Sequence, residues 1–397
     1  MDEEILKLAE KMSDTIIRDR RNLHQIPELG TNLPQTVSYV CRRLDKLGIV
    51  YRVAEKYSAV IALLGTPGRK TIGMRADMDA LPVREESGEP FASKNGNMHA
   101  CGHDAHTAIL LGTAAILKKL EGSLNGQVKL IFQPSEEIEP SGARLLVQDG
   151  VMEDPHVDAM LALHMDVQER KGWKNGDIVF HYGSVSAFET PVEIKVVGHG
   201  GHGCMPDKCV DPIAILHLIY ETVQCIVTRE IPPTCPFVLS FGTVQAGNGT
   251  GNVIPDTAYI RGSFRTTDPQ IRKYMIERIE EVAGTIASLM KGKAEVRFPE
   301  GCKAVINDDD MVLFTRKVAV DLLGEENIQV DDTVLLDAED AGWYFEKAPG
   351  CYFKLLAGKP YEDGKIYPLH NSKSRLDDSV LYRGAAVFAA SARKYLA

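Results

Sequence analysis

Five short segments of this 397-residue chain set ionisable side chains beside glycine or proline. They are Arg75-Ala-Asp-Met-Asp-Ala-Leu-Pro82, His99-Ala-Cys-Gly-His-Asp-Ala-His106, Gln133-Pro-Ser-Glu-Glu137, Leu161-Ala-Leu-His-Met-Asp166 and Leu369-His-Asn-Ser372. Together they offer a thiol, three imidazoles and a glutamate: Cys101, His103, His164, His370 and one of Glu136 and Glu137. That mixture of sulfur, nitrogen and oxygen donors suits zinc, manganese or a similar divalent ion. Cys101 and His103 are two residues apart, so in an extended loop their side chains can turn to one side. Gly102 between them lets the backbone bend tightly. A thiolate has lone pairs enough to bridge two ions.

Adjacent glutamates point in opposite directions along an extended backbone, so Glu136 and Glu137 cannot do the same job in the same way. One becomes a metal ligand and the other a general base for a metal-activated water. The competing structural readings are specific. Asp104 caps a helix starting near Ala105. His24, His156, His181 and His217 are structural. His99 and His106 support the cluster rather than ligate. Glu85-Glu86 and Glu325-Glu326 are solvated surface acids. Glu136-Glu137 differs from these pairs because it follows an apolar run directly.

The positioning elements follow from periodicity. Ile5, Leu8, Met12 and Ile16 mark a first helix, and Val37, Val40, Cys41, Leu44 and Leu47 mark a second, capped by Gly48. Apolar runs at Ser58–Leu64, Thr71–Met74, Val128–Phe132 and Met160–Leu163 are buried strands, and Thr107–Leu120 is a helix. Alternating strands and helices predict an α/β domain with a mixed, largely covered sheet. Three of the five clusters lie at strand ends, where open α/β sheets build their sites. From Pro191 the pattern changes to strand, helix, strand, strand, helix, strand, ending at Ala294–Phe298. That is a split βαβ, ferredoxin-like α+β unit. The chain then returns to the first pattern and ends in a helix near Ser379–Tyr395. We therefore expect a catalytic domain of residues 1–185 and 300–397, with residues 186–299 inserted in it.

Composition narrows the function. The formal net charge is −10, which argues against the basic footprint of a general nucleic-acid binder. Hydrophobic residues at 44% and charged residues at 25% are ordinary globular values and exclude a disordered chain. No stretch approaches 18 apolar residues, so no membrane helix is expected. The opening Met-Asp-Glu-Glu-Ile-Leu is acidic where a signal peptide is basic, which places the expected location in the cytoplasm. The eight cysteines form no CxxC pair, so seven are expected to be reduced thiols and Cys101 a ligand. H-E-x-x-H, Walker A and G-x-S-x-G are all absent. Gly247-Asn-Gly-Thr-Gly251 opens no helix and is not a dinucleotide site.

With these motifs in place, the chain resembles the aminoacylase/carboxypeptidase family of dinuclear metallohydrolases, and within it the amidohydrolases typified by hippurate hydrolases, bacterial N-acyl-amino-acid amidohydrolases and plant auxin-conjugate hydrolases. The resemblance runs from Leu23-His-Gln-Ile-Pro-Glu-Leu-Gly30 through all five clusters. It continues through Gly200-Gly-His-Gly203, Asp211-Pro-Ile213 and Asn252-Val-Ile-Pro255 to His370-Asn371. It implies that Cys101, His103, Glu137, His164 and His370 bind two divalent ions, zinc or manganese first and cobalt or nickel next. It implies Glu136 as general base and acid, and Asp79 as the aspartate that orients the metal site. Asp77 falls where other branches carry a metal-binding histidine.

The inserted domain resembles the family's lid and dimerisation domain, implying a homodimer or a tetramer. His202 matches a histidine that reaches the partner's active site and stabilises the oxyanion. Asn252 and Arg265 fall in the segment that holds the substrate carboxylate, a group a guanidinium grips bidentately. Departures from the pattern are Cys204, Asp207 after Pro206, and Thr31-Asn-Leu-Pro34 without an acid. They bear on substrate preference. The expected reaction is hydrolysis of the amide bond of an N-acyl amino acid, with N-acetyl or N-benzoyl groups as examples. The alternative is a dipeptidase or carboxypeptidase using the same metals. A thiol-nucleophile mechanism through Cys101 is the mechanistic rival.

Overall fold

The computed structural model describes residues 2–68, 70–168, 170–334 and 336–397. It divides into two compact units. One runs to Val185 and adds Val305–Thr333 and Asp340–Ala397; the other comprises Ser186–Ala304 and Val334–Glu339.

The first unit is built on an eight-stranded mixed sheet. Its order is Val50–Val53, Val60–Gly65, Gln127–Gln133, Thr71–Asp77, Ala159–Asp166, Gly350–Leu356, Ile178–Phe180 and Ile328–Val330. The four central strands, from Gln127–Gln133 to Gly350–Leu356, are mutually parallel. Every residue of Thr71–Asp77 is buried, as expected for a strand covered on both faces. One face carries the helices Asp2–His24, His103–Leu120 and Leu381–Tyr395, around a core that includes Ile16, Ile109, Leu161 and Phe388. The other face packs Ile131, Leu146, Met160 and Tyr344.

Local chemistry explains two element starts. The helix Pro34–Leu47 has no capping side chain at Leu33. Glu28 does that work from outside, accepting from the backbone N–H of Gln35 and Thr36 at 3.1 and 2.9 Å. This satisfies donors that every helix start leaves open. The helix expected from Thr107 begins instead at His103, behind Gly102 at φ 93°. Its first turn is polar yet buried, so the apolar period hid it.

The second unit is a four-stranded antiparallel sheet in the order Lys293–Arg297, Phe188–Val197, Thr257–Thr266 and Phe237–Ala246. Helices Pro212–Arg229 and Pro269–Leu289 pack on it through Ile215, Ile219, Met275 and Ile279. Strand, helix, strand, strand, helix, strand is the ferredoxin-like arrangement. Both helices start at proline behind an aspartate cap, Asp211 and Asp268, a preferred N-terminal pairing. Among the described residues, no helix is long and apolar enough to cross a membrane.

Candidate metal centre

Parallel strand ends gather the chemistry of the first unit. The strand ending at Asp77 leads into Asp79, its neighbour ending at Gln133 leads into Glu136 and Glu137, and the third carries His164 two residues from its end. Because these strands are adjacent and parallel, their carboxyl ends share one edge. Cys101 and His103 enter from the start of the helix His103–Leu120, and His370 from a C-terminal loop. The His370 N–H donates to the Ala100 carbonyl at 2.9 Å, which ties that loop to the cysteine loop.

The side chains converge. Cys101 Sγ lies 3.4 Å from His164 Nε2 and 3.2 Å from His370 Nε2. His370 Nε2 is 3.3 Å from Glu137 Oε1. His103 Nε2 is 3.9 Å from Glu136 Oε2 and 4.0 Å from Glu137 Oε1. Two ligands sharing one tetrahedral ion, each about 2.0–2.3 Å from it, stand about 3.3–3.8 Å apart. The Cys101, His164, His370 and Glu137 spacings of 3.2–3.4 Å lie at the lower edge of that range, and the His103 spacings of 3.9 and 4.0 Å lie just above it.

The site's polarity also calls for a cation. Among the described residues, His103 Nε2 is buried and makes no hydrogen bond, which costs free energy unless something else pairs with it. Burial works against protonation of His103, yet the Asp77 carboxylate and the Cys101 sulfur raise its pKa well above the ordinary range. A metal ion supplies the same positive charge to the same group of anions. Burial pushes the Cys101 thiol up, and a metal reverses that by holding the thiolate. Burial, with the nearby His106, keeps His164 well below the usual histidine range and hence neutral, the form that ligates. The residues present therefore fit a divalent ion.

Three sequence expectations need correction. Glu85 is not a solvated surface acid: its side chain is 1% exposed and lies 3.0 Å from His24 Nε2. Asp104 does not cap the helix. It is buried and takes Arg20 Nε at 2.8 Å and His24 Nδ1 at 2.8 Å. Glu136 and Glu137 do not face opposite ways. Ser135 sits at φ 54°, a left-handed conformation that breaks the extended run, and both carboxylates approach His103. Asp79 fixes this turn, accepting from the N–H of Glu136 at 3.0 Å and of Glu137 at 3.1 Å. Its backbone carbonyl accepts the His103 Nδ1–H at 3.0 Å.

The remaining candidates belong to the second unit. His202 pairs with Val253 across a short antiparallel ladder, next to Asn252. The Asn252 carbonyl accepts from Gly203 N–H at 2.8 Å. His202 Nδ1 accepts the Cys204 N–H at 3.3 Å, so a neutral His202 carries its proton on Nε2. Arg265 donates to the Leu336 carbonyl at 2.9 Å and lies 3.4 Å from Glu189, its cross-strand partner. All eight cysteines are free thiols. Sequence reasoning missed the Glu28 cap and the buried Arg20–Asp104–His24–Glu85 cluster. The Leu23-His-Gln-Ile-Pro-Glu segment, with two ionisable residues beside a proline, was the available signal.

Comparison with known proteins agrees with this geometry. The model of peptidase family M20/M25/M40 matches residues 73–394. Thermostable carboxypeptidase 2 of Saccharolobus solfataricus is 35% identical over 395 residues, covering 98% of this chain and 97% of its own. The N-acyl-L-amino acid amidohydrolase of Geobacillus stearothermophilus is 37% identical over 313 residues, covering 78% and 82%. Among solved structures, the Bacillus subtilis YXEP protein, a dinuclear metal binding peptidase, superposes with a TM-score of 0.81. It is 31% identical and covers 97% of this chain and 99% of its own.

Proposed function

The chain belongs to peptidase family M20/M25/M40, and from that membership and the converging ligands we propose that it hydrolyses the amide bond of N-acyl amino acids. The observation that carries this reading is the cluster of Cys101, His103, Glu137, His164 and His370 with Glu136 beside it. Those five residues would hold two divalent ions, zinc or manganese, with cobalt or nickel as substitutes. Such ions lower the pKa of water and polarise a carbonyl.

The chain's own groups do the rest. Glu136 accepts the proton of the attacking water and passes it to the leaving nitrogen. Asp79 holds the Glu136 and Glu137 amides and His103 in register. We assign to the second unit the role of lid and dimerisation domain. In that role His202 of a paired copy donates its Nε2–H to the oxyanion. Asn252 and Arg265 receive the substrate carboxylate, with Arg265 exchanging Glu189 for it.

The same centre would cut a short peptide, and the likeness to a carboxypeptidase favours keeping that second reading. Assays of N-acetyl and N-benzoyl amino acids against dipeptides separate the two. We expect the acyl amino acids to be turned over faster, with activity lost to a chelator and restored by zinc or manganese. Activity that persists in fully metal-free protein but dies on thiol alkylation would instead establish Cys101 as a nucleophile.

A further inference from the structure

The Met165 peptide is gripped at both ends by histidines. Its N–H donates to His106 Nε2 at 2.8 Å. Its carbonyl accepts the His164 Nδ1–H at 2.6 Å. The second bond fixes the His164 tautomer and turns its Nε2 toward Cys101. Because His106 Nε2 is an acceptor, its proton sits on Nδ1, which donates to Asp77 Oδ1 at 2.6 Å. The other Asp77 oxygen lies 2.6 Å from Arg75 Nη1. Arg75 Nη2 donates to Asp340 Oδ1 at 2.7 Å. Arg75, Asp77, His106 and Asp340 are all buried. The His106 and His164 rings also pack, with centroids 4.6 Å apart.

Asp77, His103 and His106 place their donor atoms close enough to hold an ion of their own. The bonding argues against that use. Both His106 nitrogens are engaged, and the Arg75 guanidinium, paired with the other Asp77 oxygen, already supplies the positive charge. A cation added there would be repelled by that guanidinium and would find no free nitrogen on His106.

We propose that Arg75, Asp77 and His106 form a positioning relay that orients His164 as a metal ligand through the Met165 peptide. This rests on the metal-centre reading above. In this reading Asp77 acts one step behind the metal. Outer partners of this kind commonly change metal affinity about 10- to 100-fold when removed.

The test uses the full-length protein loaded with Co²⁺, comparing wild type with His106→Leu, His106→Gln and Asp77→Asn. Leucine keeps bulk and loses both hydrogen bonds; glutamine keeps an acceptor and a donor. Metal affinity is read by chelator competition, and geometry by the visible and thiolate charge-transfer bands. We expect His106→Leu to weaken one of the two ions about 10- to 100-fold and shift its bands, with His106→Gln recovering most of the loss. Unchanged affinity and spectrum in His106→Leu would overturn the relay, as would glutamine performing no better than leucine. If His106→Leu does not fold, Asp77→Asn decides: weakened binding supports the relay, and wild-type binding and bands overturn it. A wild-type protein that takes up no cobalt would sink the metal reading itself and the relay with it, so the two failures are told apart.

Discussion

The Asp79 carboxylate accepts the backbone N–H of Glu136 at 3.0 Å, while its second oxygen takes the N–H of Glu137. One fully buried side chain thus holds the proposed base and a proposed ligand, and its carbonyl holds His103 as well. Asp79→Asn puts an NH₂ where one of those amide hydrogens must be accepted. We expect metal affinity and kcat to fall about 10- to 100-fold together, measured by metal content and steady-state kinetics. An Asn variant with wild-type metal content and kcat would mean that Asp79 is packing only.

Glu136 and Glu137 predict opposite signatures. Glu136→Gln removes a proton acceptor but no proposed ligand, so kcat should drop about 10²- to 10⁴-fold with two metals still bound per chain. Glu137→Gln should lose metal first. Metal analysis and activity on the same samples check this. If Glu136→Gln stays active while loaded, another group is the base.

The pattern of what the sequence revealed is physical. The convergence of these side chains was legible because buried parallel strands make apolar runs, and ionisable residues just past such a run lie at one sheet edge. The split βαβ order of the second unit was legible from strand alternation and from the order of its apolar runs and helices. What stayed hidden depends on contacts distant in sequence or on single backbone angles. Asp340 meets Arg75 from far along the chain. Asp104 looked like a cap because Arg20 and His24, its true partners, sit in another helix. The left-handed turn at Ser135 is uncommon for a serine and leaves no signal in the local sequence.

Gly102 is the hinge of the Cys101–His103 pair, at φ 93°. A Cβ there would meet Leu376 and Met165 at 3.1–3.3 Å, and the left-handed region alone costs a side chain about 1–2 kcal/mol. Gly102→Ala should therefore lower the Tm and weaken metal binding together, because the strain falls between two ligands. Calorimetry and metal titration test the coupling. A variant that loses Tm but binds metal normally would show the hinge to be irrelevant to the ligands.

The buried cluster behind the helix start predicts a pH dependence of stability. Burial disfavours a charged His24, but Asp104 at 2.8 Å and Glu85 at 3.0 Å raise its pKa above 6.5. A raised folded pKa stabilises fully below the unfolded value and is lost as pH rises through the folded one. Asp104 is the reverse. Burial raises its pKa, but Arg20 and His24 hold it far below 3.8, so its contribution is present above that value and is lost as pH falls. His24→Gln should therefore cost most stability near pH 5–6, with the gap from wild type narrowing above about 6.5 as wild-type His24 loses its proton. Denaturant unfolding of both proteins from pH 5 to 9 measures it. A gap that widens with pH would mean His24 is neutral in the fold, and the charged cluster would have to be redrawn around Arg20 and Asp104 alone.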